Sequence, residues 1–349
     1  MTSIFSYTQH QFAEEVHRQL SKGKRHAQLL YAQWFREGKV EPKDFAEPQA
    51  LSLIEEMRKR IDFSLPEIVS QLQDGDTKKF LLRLADGLET ESVLIPMQSG
   101  ITLCISSQVG CKMGCAFCET GRMGLLRSLT AAEIVMQVFV AKFVLNSPVR
   151  NIVFMGMGEP FDNYDNVMQA IRILTDPAGF GLGPSRITVS TSGCVSEVEK
   201  FMQEADPAVN LAVSINAPND EIRSRIMPVN HRWNLTELKE VLLEYCAHPR
   251  REILIEYVLL KDINDSLECA EQLSQFLRGL RVKVNLIPYN SQRKSRFQPP
   301  DMLIQEAFMQ QLWEQGYQVL LRHHKGRGIM AACGQLGNKD LRKKSLNVL

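Results

Sequence analysis

The chain has no run of eighteen or more apolar residues, so no membrane-spanning helix is expected. Its first residues, MTSIFSYTQHQ, lack the basic stretch and apolar run of a secretory signal, and the expected location is the cytoplasm. Net charge is nearly absent, with 41 Lys and Arg against 40 Asp and Glu. That balance neither demands nor excludes a nucleic-acid partner, because local patches decide more than the sum. No internal repeat and no long low-complexity linker is visible. The eight cysteines do not suggest a disulfide framework, since a chain of this length without an export signal is expected in a reducing compartment. Where cysteines cluster, metal binding or catalysis is the better expectation.

Residues 1–75 read as a helical unit. FAEEVHRQL, AQLLYAQWF and ALSLIEEMRKRI place apolar residues at three- and four-residue spacing. Residues 76–100 read as a β-hairpin connection, with two apolar runs flanking Asp86-Gly87. From 101 to 333, helix-like segments alternate with strand-like ones: VRNIVFMG, RITVSTS, NLAVSIN, EILIEYVLL, VKVNLIPY and YQVLLRH. About six such units predict an α/β fold, a barrel or partial barrel of parallel strands. Residues 334–349 form a basic tail. In such folds active groups gather at the carboxyl ends of the strands, where this chain carries GMGEP, STSG, SINAPND and IPYN. Basic clusters at Lys22–Arg25, Arg58–Arg60, Arg293–Arg296, Arg322–Arg327 and Arg342–Lys344 read either as solvated surface or as nucleic-acid contacts.

The chemistry concentrates in QVGCKMGCAFCETGRMG. Cys111, Cys115 and Cys118 sit on a short glycine-containing loop between a strand and a helix. Three thiolates can hold three irons of a [4Fe–4S] cube and leave the fourth iron open. Structural zinc competes with this reading, but it wants a fourth ligand, which Cys104 or a distant residue would have to supply. Cys246 and Cys269 fall in helical patterns and read as small buried residues. Cys194, after the Ser-Thr-Ser-Gly turn, also reads as core packing.

This loop resembles the signature of the radical S-adenosylmethionine (SAM) superfamily, with Phe117 as the aromatic residue before the last cysteine. GMGEP at 156–160 resembles the superfamily's glycine-rich strand end. Two further cysteines, Cys104 in TLCISSQVGC and Cys333 in AACGQLG, narrow the likeness. Together with GMGEP, STSG, APNDEIR and NLIPYN, they resemble the RlmN/Cfr family of RNA adenine methyltransferases from about residue 80 to 337, and more loosely in the N-terminal helices. The resemblance implies a partial (β/α)6-type radical SAM barrel with a small helical N-terminal domain.

It also implies a mechanism. Cys333 would take a methyl group from one SAM and become S-methylcysteine. A second SAM, cleaved at the [4Fe–4S] cluster of Cys111, Cys115 and Cys118, would supply a radical that activates this methyl for addition to an adenine carbon, C2 more commonly than C8. Cys104 would release the product through a transient disulfide with Cys333, and Glu91 would be the proton acceptor. The implied SAM contacts are Gly158, Glu159, Ser190, Ser214, Ile215, Asn216 and Asn290. The implied partners are ribosomal or transfer RNA and an electron donor such as flavodoxin or ferredoxin, with no membrane.

The chain departs from the family pattern at three places. Asn216 stands where the family usually has histidine, and Gly328 where it usually has aspartate. Glu119 stands where a small residue is common. The absent aspartate keeps open a radical SAM enzyme with a different RNA site or a non-RNA substrate. A non-catalytic, metal-stabilised RNA-binding protein would need neither Cys104 nor Cys333.

Overall fold

In a computed structural model, residues 2–40, 48–292, 295–322, 326 and 328–337 are described. Three helices open the chain: α1 (Gln9–Leu20), α2 (Lys24–Glu37) and α3 (Pro48–Arg58). Thr8 and Gln11 form a reciprocal capping box at the start of α1. These helices do not stand apart from the rest. The apolar core runs without a break from Ile4 to Leu336. Trp34 of α2 stacks on Phe139 at 4.9 Å, and Phe5 meets Phe139 edge-on at 5.0 Å. The short strand β1 (Thr2–Ser3) pairs in parallel with β2 (Ile61–Asp62).

The helical stretch expected to residue 75 is shorter than that. After α3 the chain turns to strand, and Glu67–Asp74 is β3. β3 pairs antiparallel with β4 (Thr77–Arg83) across the two-residue turn Gly75-Asp76. Most of its side chains are exposed or half-buried, because it is the outer edge of the sheet, and so it carries no clear apolar alternation to read. The hairpin expected at Asp86-Gly87 joins β4 to β5 (Glu89–Met97), with Gly87 at φ +82°.

β5 pairs antiparallel with β6 (Gly100–Cys104), and there the sheet changes character. From β6 it continues in parallel through β9 (Val149–Phe154), β10 (Ile187–Thr191), β11 (Asn210–Ser214), β12 (Ile253–Leu259), β13 (Val282–Pro288) and β14 (Gln318–Leu321). The ten strands form one open sheet with β3 and β14 at its edges. The parallel strands alternate with helices, as expected for the barrel: α5 (Ala131–Phe139), α6 (Tyr164–Thr175), α7 (Val195–Glu204), α9 (Leu235–Ala247), α10 (Leu267–Leu277) and α11 (Met302–Glu314). A short helix, α8 (Asp220–Ile226), follows the β11 strand end. Capping boxes start α5 (Thr130 with Glu133) and α9 (Asn234 with Glu237). Cys194, Cys246 and Cys269 are buried, as core packing requires. Among the described residues no helix is long and apolar enough to cross a membrane. Residues 338–349 of the expected basic tail, including Arg342–Lys344, lie outside the described residues.

Candidate active site

The cysteine loop leaves the sheet at the carboxyl end of β6. Its neck is a two-stranded ribbon, β7 (Gln108–Val109) against β8 (Arg127–Ser128), followed on the inside by the hydrogen bond from Cys111 N to Gly124 O at 3.1 Å. Gly110 sits at φ +81°, and a Cβ there would lie 1.8 Å from Gly124 O, so only glycine closes this neck. Within the loop, Cys118 N donates to Cys115 O at 3.1 Å, and Ala116 N donates to Ile226 O of α8 at 2.9 Å. Cys118 then caps α4 (Glu119–Met123).

Cys111, Cys115 and Cys118 all line one cavity of about 150 Å³. Its other walls are parallel strand ends: Gly158 and Glu159 after β9, Ser190 on β10, Ser214 and Asn216 at β11, Glu256 on β12, Asn290 after β13, and Cys333. The convergence expected of a barrel of this kind is therefore present. Burial raises all three thiols, Cys115 to about 12. A bound cation reverses that cost by stabilising the thiolates. Among the described residues, no three His, Cys, Asp or Glu side chains converge on a point as ligands of a single ion do. A cluster places several irons between its ligands, so its thiolates need no such convergence. Three thiols on one short loop around the cavity, with Cys333, its fourth cysteine, on a separate segment after β14, fit a cube with one open iron better than a closed zinc site.

The wall is held by polar groups that the strands bury. Gly158 takes φ +102°, and a Cβ there would collide with Gln108 at 2.6 Å. Glu159 is fully engaged, accepting from Ser192 N at 2.8 Å and Phe161 N at 3.1 Å, so it ties the GMGEP turn to the STSG turn. Burial raises its pKa, and those hydrogen bonds oppose the rise. Asn216 lies in the left-handed region (φ +56°), which asparagine tolerates. Its Oδ1 accepts from Val258 N at 2.8 Å. An amide thus bridges the ends of β11 and β12 at this departure from the family pattern. Ile215 does not line the cavity; its side chain is wholly buried in the core, and its N–H donates to Glu256 O at 3.0 Å.

Behind the wall sits Arg223, the last residue of APNDEIR. It is completely buried and donates to Ser192 O (2.6 Å), Ser214 O (3.3 Å), Ile215 O (3.2 Å) and Asn230 Oδ1 (2.8 Å). Burial lowers its pKa to about 10. One guanidinium thereby gathers the ends of β10 and β11.

Cys333 belongs to the segment after β14. Its surface is open, yet the protein surrounds it, as happens to a group facing into a concave site. Neighbouring elements fasten its backbone. Asn290 Nδ2 donates to Cys333 O at 3.1 Å, while Glu119 N and Gln292 Nε2 reach Gly334 O at 2.8 and 2.7 Å. Thr120 Oγ1 donates to Leu336 O at 2.5 Å. Glu119, another departure, thus contributes its backbone here, and its side chain pairs with Arg122 at 3.2 Å.

Two implied catalytic residues lie beside this cavity rather than in its lining. Cys104, at the end of β6, is buried, and burial raises its pKa. It pairs in register with Val93 of β5, so Glu91, two residues before Val93, points to the same face. Glu91 is buried and forms an ion pair with Lys79 of β4 at 3.3 Å. Lys79 Nζ also donates to Met330 O at 3.1 Å, and Glu91 accepts from the Gly337 backbone. The implied base is therefore wired to the segment that carries Cys333. Gly328, in that segment, donates its N–H to Asp74 Oδ2 at 2.9 Å. A carboxylate from β3 thus meets the position where the family usually places its own.

Sequence reasoning left Lys79, Asp74 and Glu256 without roles, quoted Arg223 only within APNDEIR, and read Arg322 as solvated surface or a nucleic-acid contact, whereas it stands beside Glu256 and Cys333. Glu256 carried a local signal, as one acid in the apolar strand ILIEYVL. In the N-terminal basic clusters, Lys22 and Arg60 lie beside Glu56, and Lys24 pairs with Glu14 at 2.7 Å. Of the Arg293–Arg296 and Arg322–Arg327 clusters, Arg293, Lys294, His323–Lys325 and Arg327 lie outside the described residues.

The chain is similar to known proteins along most of its length. Residues 105–273 match the radical SAM superfamily. The chain is 54% identical over 347 residues to "Probable dual-specificity RNA methyltransferase RlmN 1" of Protochlamydia amoebophila, an alignment covering 99% of this chain and 97% of that one. It is 37% identical over 359 residues to the dual-specificity RNA methyltransferase RlmN of a Nitratiruptor species, covering 97% and 99%. The crystal structure of a radical SAM methyltransferase from Sphaerobacter thermophilus superposes with a TM-score of 0.89 at 36% identity, covering 96% of this chain and 99% of that one.

Proposed function

The chain belongs to the RlmN family of radical SAM dual-specificity RNA methyltransferases, and on that premise we propose that it methylates an adenine carbon, C2 in preference to C8, in ribosomal or transfer RNA through a methylated Cys333. The observation that carries this reading is the presence of Cys333 in the same cavity as Cys111, Cys115 and Cys118. A thiol there is in reach of both a methyl donor and a radical source.

Cys111, Cys115 and Cys118 would hold a [4Fe–4S] cluster, and Gly158, Glu159, Ser190, Ser214, Asn216 and Asn290 would line the SAM site, Ile215 contributing its backbone. When bound, cluster and SAM together supply a 5′-deoxyadenosyl radical after reduction by a small electron carrier such as flavodoxin or ferredoxin. The remaining work falls to this chain. Cys333 accepts a methyl group as a thiolate and presents it to the adenine. Glu91 takes the proton lost as the ring regains aromaticity. Cys104, on the same sheet face as Glu91, resolves the protein–RNA link by pairing with Cys333. An adenine must leave its stack to reach a sulfur set in a concave site, which favours RNA loops over regular duplex.

The test is anaerobic purification followed by reaction with SAM bearing a trideuterated methyl, a reductant and total RNA. Methyladenosine that retains two of three deuteriums is expected, because one is abstracted on Cys333. Retention of all three would sink the Cys333 route. Cleaved SAM with unmodified RNA would point instead to another substrate. Cys333→Ala is expected to abolish methyl transfer while leaving the iron and sulfide content unchanged.

A further inference from the structure

The Cys333 thiol faces a charged pair that the reaction scheme above does not use. Arg322, just after β14, brings Nη1 to 3.8 Å from Cys333 Sγ. The same nitrogen is 3.7 Å from Glu256 Oε1 of β12. Glu256 is buried; its other oxygen accepts from Ser190 Oγ at 3.2 Å, and Oε1 has no hydrogen-bond partner. The guanidinium therefore stands between a carboxylate with one unsatisfied oxygen and a nucleophilic sulfur. Its own backbone is fixed, since Arg322 N donates to Leu286 O at 2.9 Å. Glu256 is fixed too, paired in register with Ser214 in the wall of the cavity.

We propose that Arg322 is the positioning residue that makes Cys333 a thiolate, and that Glu256 is the counter-ion to which Arg322 returns once the sulfur is methylated. The inference rests on the reading of Cys333 as the methyl acceptor. The Cys333 thiol first loses its proton to solvent. Its lone pair then forms the sulfur–methyl bond, while the donor's sulfonium–methyl bond breaks and leaves its electron pair on a neutral sulfide. The product thioether has no charge and can no longer engage the guanidinium. Glu256, with its open oxygen, then takes the whole of that positive charge. Ionisation is rewarded before methylation, and the methylated sulfur is left free to swing toward the base.

Burial raises the Cys333 thiol above its ordinary value, Arg322 offsets part of that rise, and Glu256 adds to it, so among the described residues Arg322 is the one charged side chain acting on this sulfur that favours the thiolate. Cys104, the thiol across from it, also feels Cys333, Arg322 and Glu256. An opposite charge this close moves a titration by about one to three pH units.

The experiment follows alkylation of Cys333 by iodoacetamide as a function of pH, read by mass on the Cys333 peptide of the anaerobically purified protein. A phosphine reductant keeps Cys104 and Cys333 from pairing, and only the unmethylated fraction of the Cys333 peptide is scored. Arg322→Gln is expected to raise the half-reaction pH by about one unit or more. Glu256→Gln is expected to lower it, and Arg322→Lys to retain most of the wild-type value, since it keeps the charge. An unchanged midpoint in Arg322→Gln overturns the proposal. Should Arg322→Gln not fold, an upward shift in Glu256→Gln overturns it instead. The readout needs no methyl transfer. A normal alkylation pattern with no methyl on Cys333 would refute the methyl-acceptor reading alone.

Discussion

The parallel and antiparallel parts of the sheet each bring a buried carboxylate to the site, and they satisfy it differently. Glu159, after β9, is met by two backbone N–H groups. Glu91, on β5, is met by the Lys79 ammonium and by the backbone of Gly337. The same contrast holds for the buried cations. Arg223 binds carbonyls at the ends of neighbouring parallel strands. Lys79 binds a carbonyl of the segment carrying Cys333. The parallel part is thus a wall in which Glu159 and Arg223 are closed on the backbone of neighbouring strand ends, with the open oxygen of Glu256 as the exception. The antiparallel part is a fastening, and what it fastens is the segment that carries Cys333. The proposed reaction, with a fixed cofactor and a travelling methyl group, calls for both.

Arg223→Met should break the wall. It leaves three main-chain carbonyls and Asn230 without their donor. At about 1–3 kcal/mol for each buried acceptor left unmet, the loss is at least roughly 4 kcal/mol, read from urea midpoints. Lys79→Met should instead break the fastening. Removing one partner of a buried ion pair costs about 3–5 kcal/mol, because the other charge is stranded. The double variant Lys79→Met/Glu91→Leu should recover most of that loss while leaving proton transfer impaired. If Lys79→Met costs as much alone as it does in Glu91→Leu, the two residues are not coupled and the fastening is wrongly drawn.

This contrast also explains what was legible. The alternation of helix and strand from 131 to 321 is local, written in runs such as VRNIVF and VKVNLIP, and it appears as expected. The cysteine loop was legible because its three cysteines lie within eight residues of one another. β3 was not, since a solvated edge strand has no apolar face to alternate. Lys79, Arg223 and Glu256 were not either. A buried charge has meaning only through its partner, and Lys79 meets Met330 across 251 residues of sequence. The departure at Gly328 looked like a loss of charge; in space the charge comes from Asp74, 254 residues away.

That substitution of source can be tested with a smaller effect. A Cβ on Gly328 would lie 3.2 Å from Asp74 Oδ2, and an aspartate would set two carboxylates against each other. Gly328→Asp should cost about 1 kcal/mol, since the pair is exposed and screened. Asp74→Asn should relieve most of it in the double variant. A Gly328→Asp protein as stable as wild type in both backgrounds would show that Asp74 does not occupy this position in solution.

The weakest prediction concerns the far side of the fastening, where the β4–β5 turn meets the neck of the cysteine loop. Asp86 accepts from Arg127 Nε at 2.5 Å, and Arg127 also grips Glu133, the capping residue of α5. Partial burial raises the Asp86 pKa, but the Arg127 guanidinium and the Leu88 N–H outweigh it and leave a net lowering. A carboxylate whose folded pKa is depressed adds stability above its unfolded pKa and loses it as pH falls through the folded value. The contribution should therefore be constant at neutral pH and fade below about pH 4. Both groups are substantially exposed, so Asp86→Ala should cost no more than about 0.5–1 kcal/mol, and less in high salt. The difference between wild type and Asp86→Ala should vanish in acid. A difference that instead grows toward low pH would mean that the turn is held by packing and not by this charge.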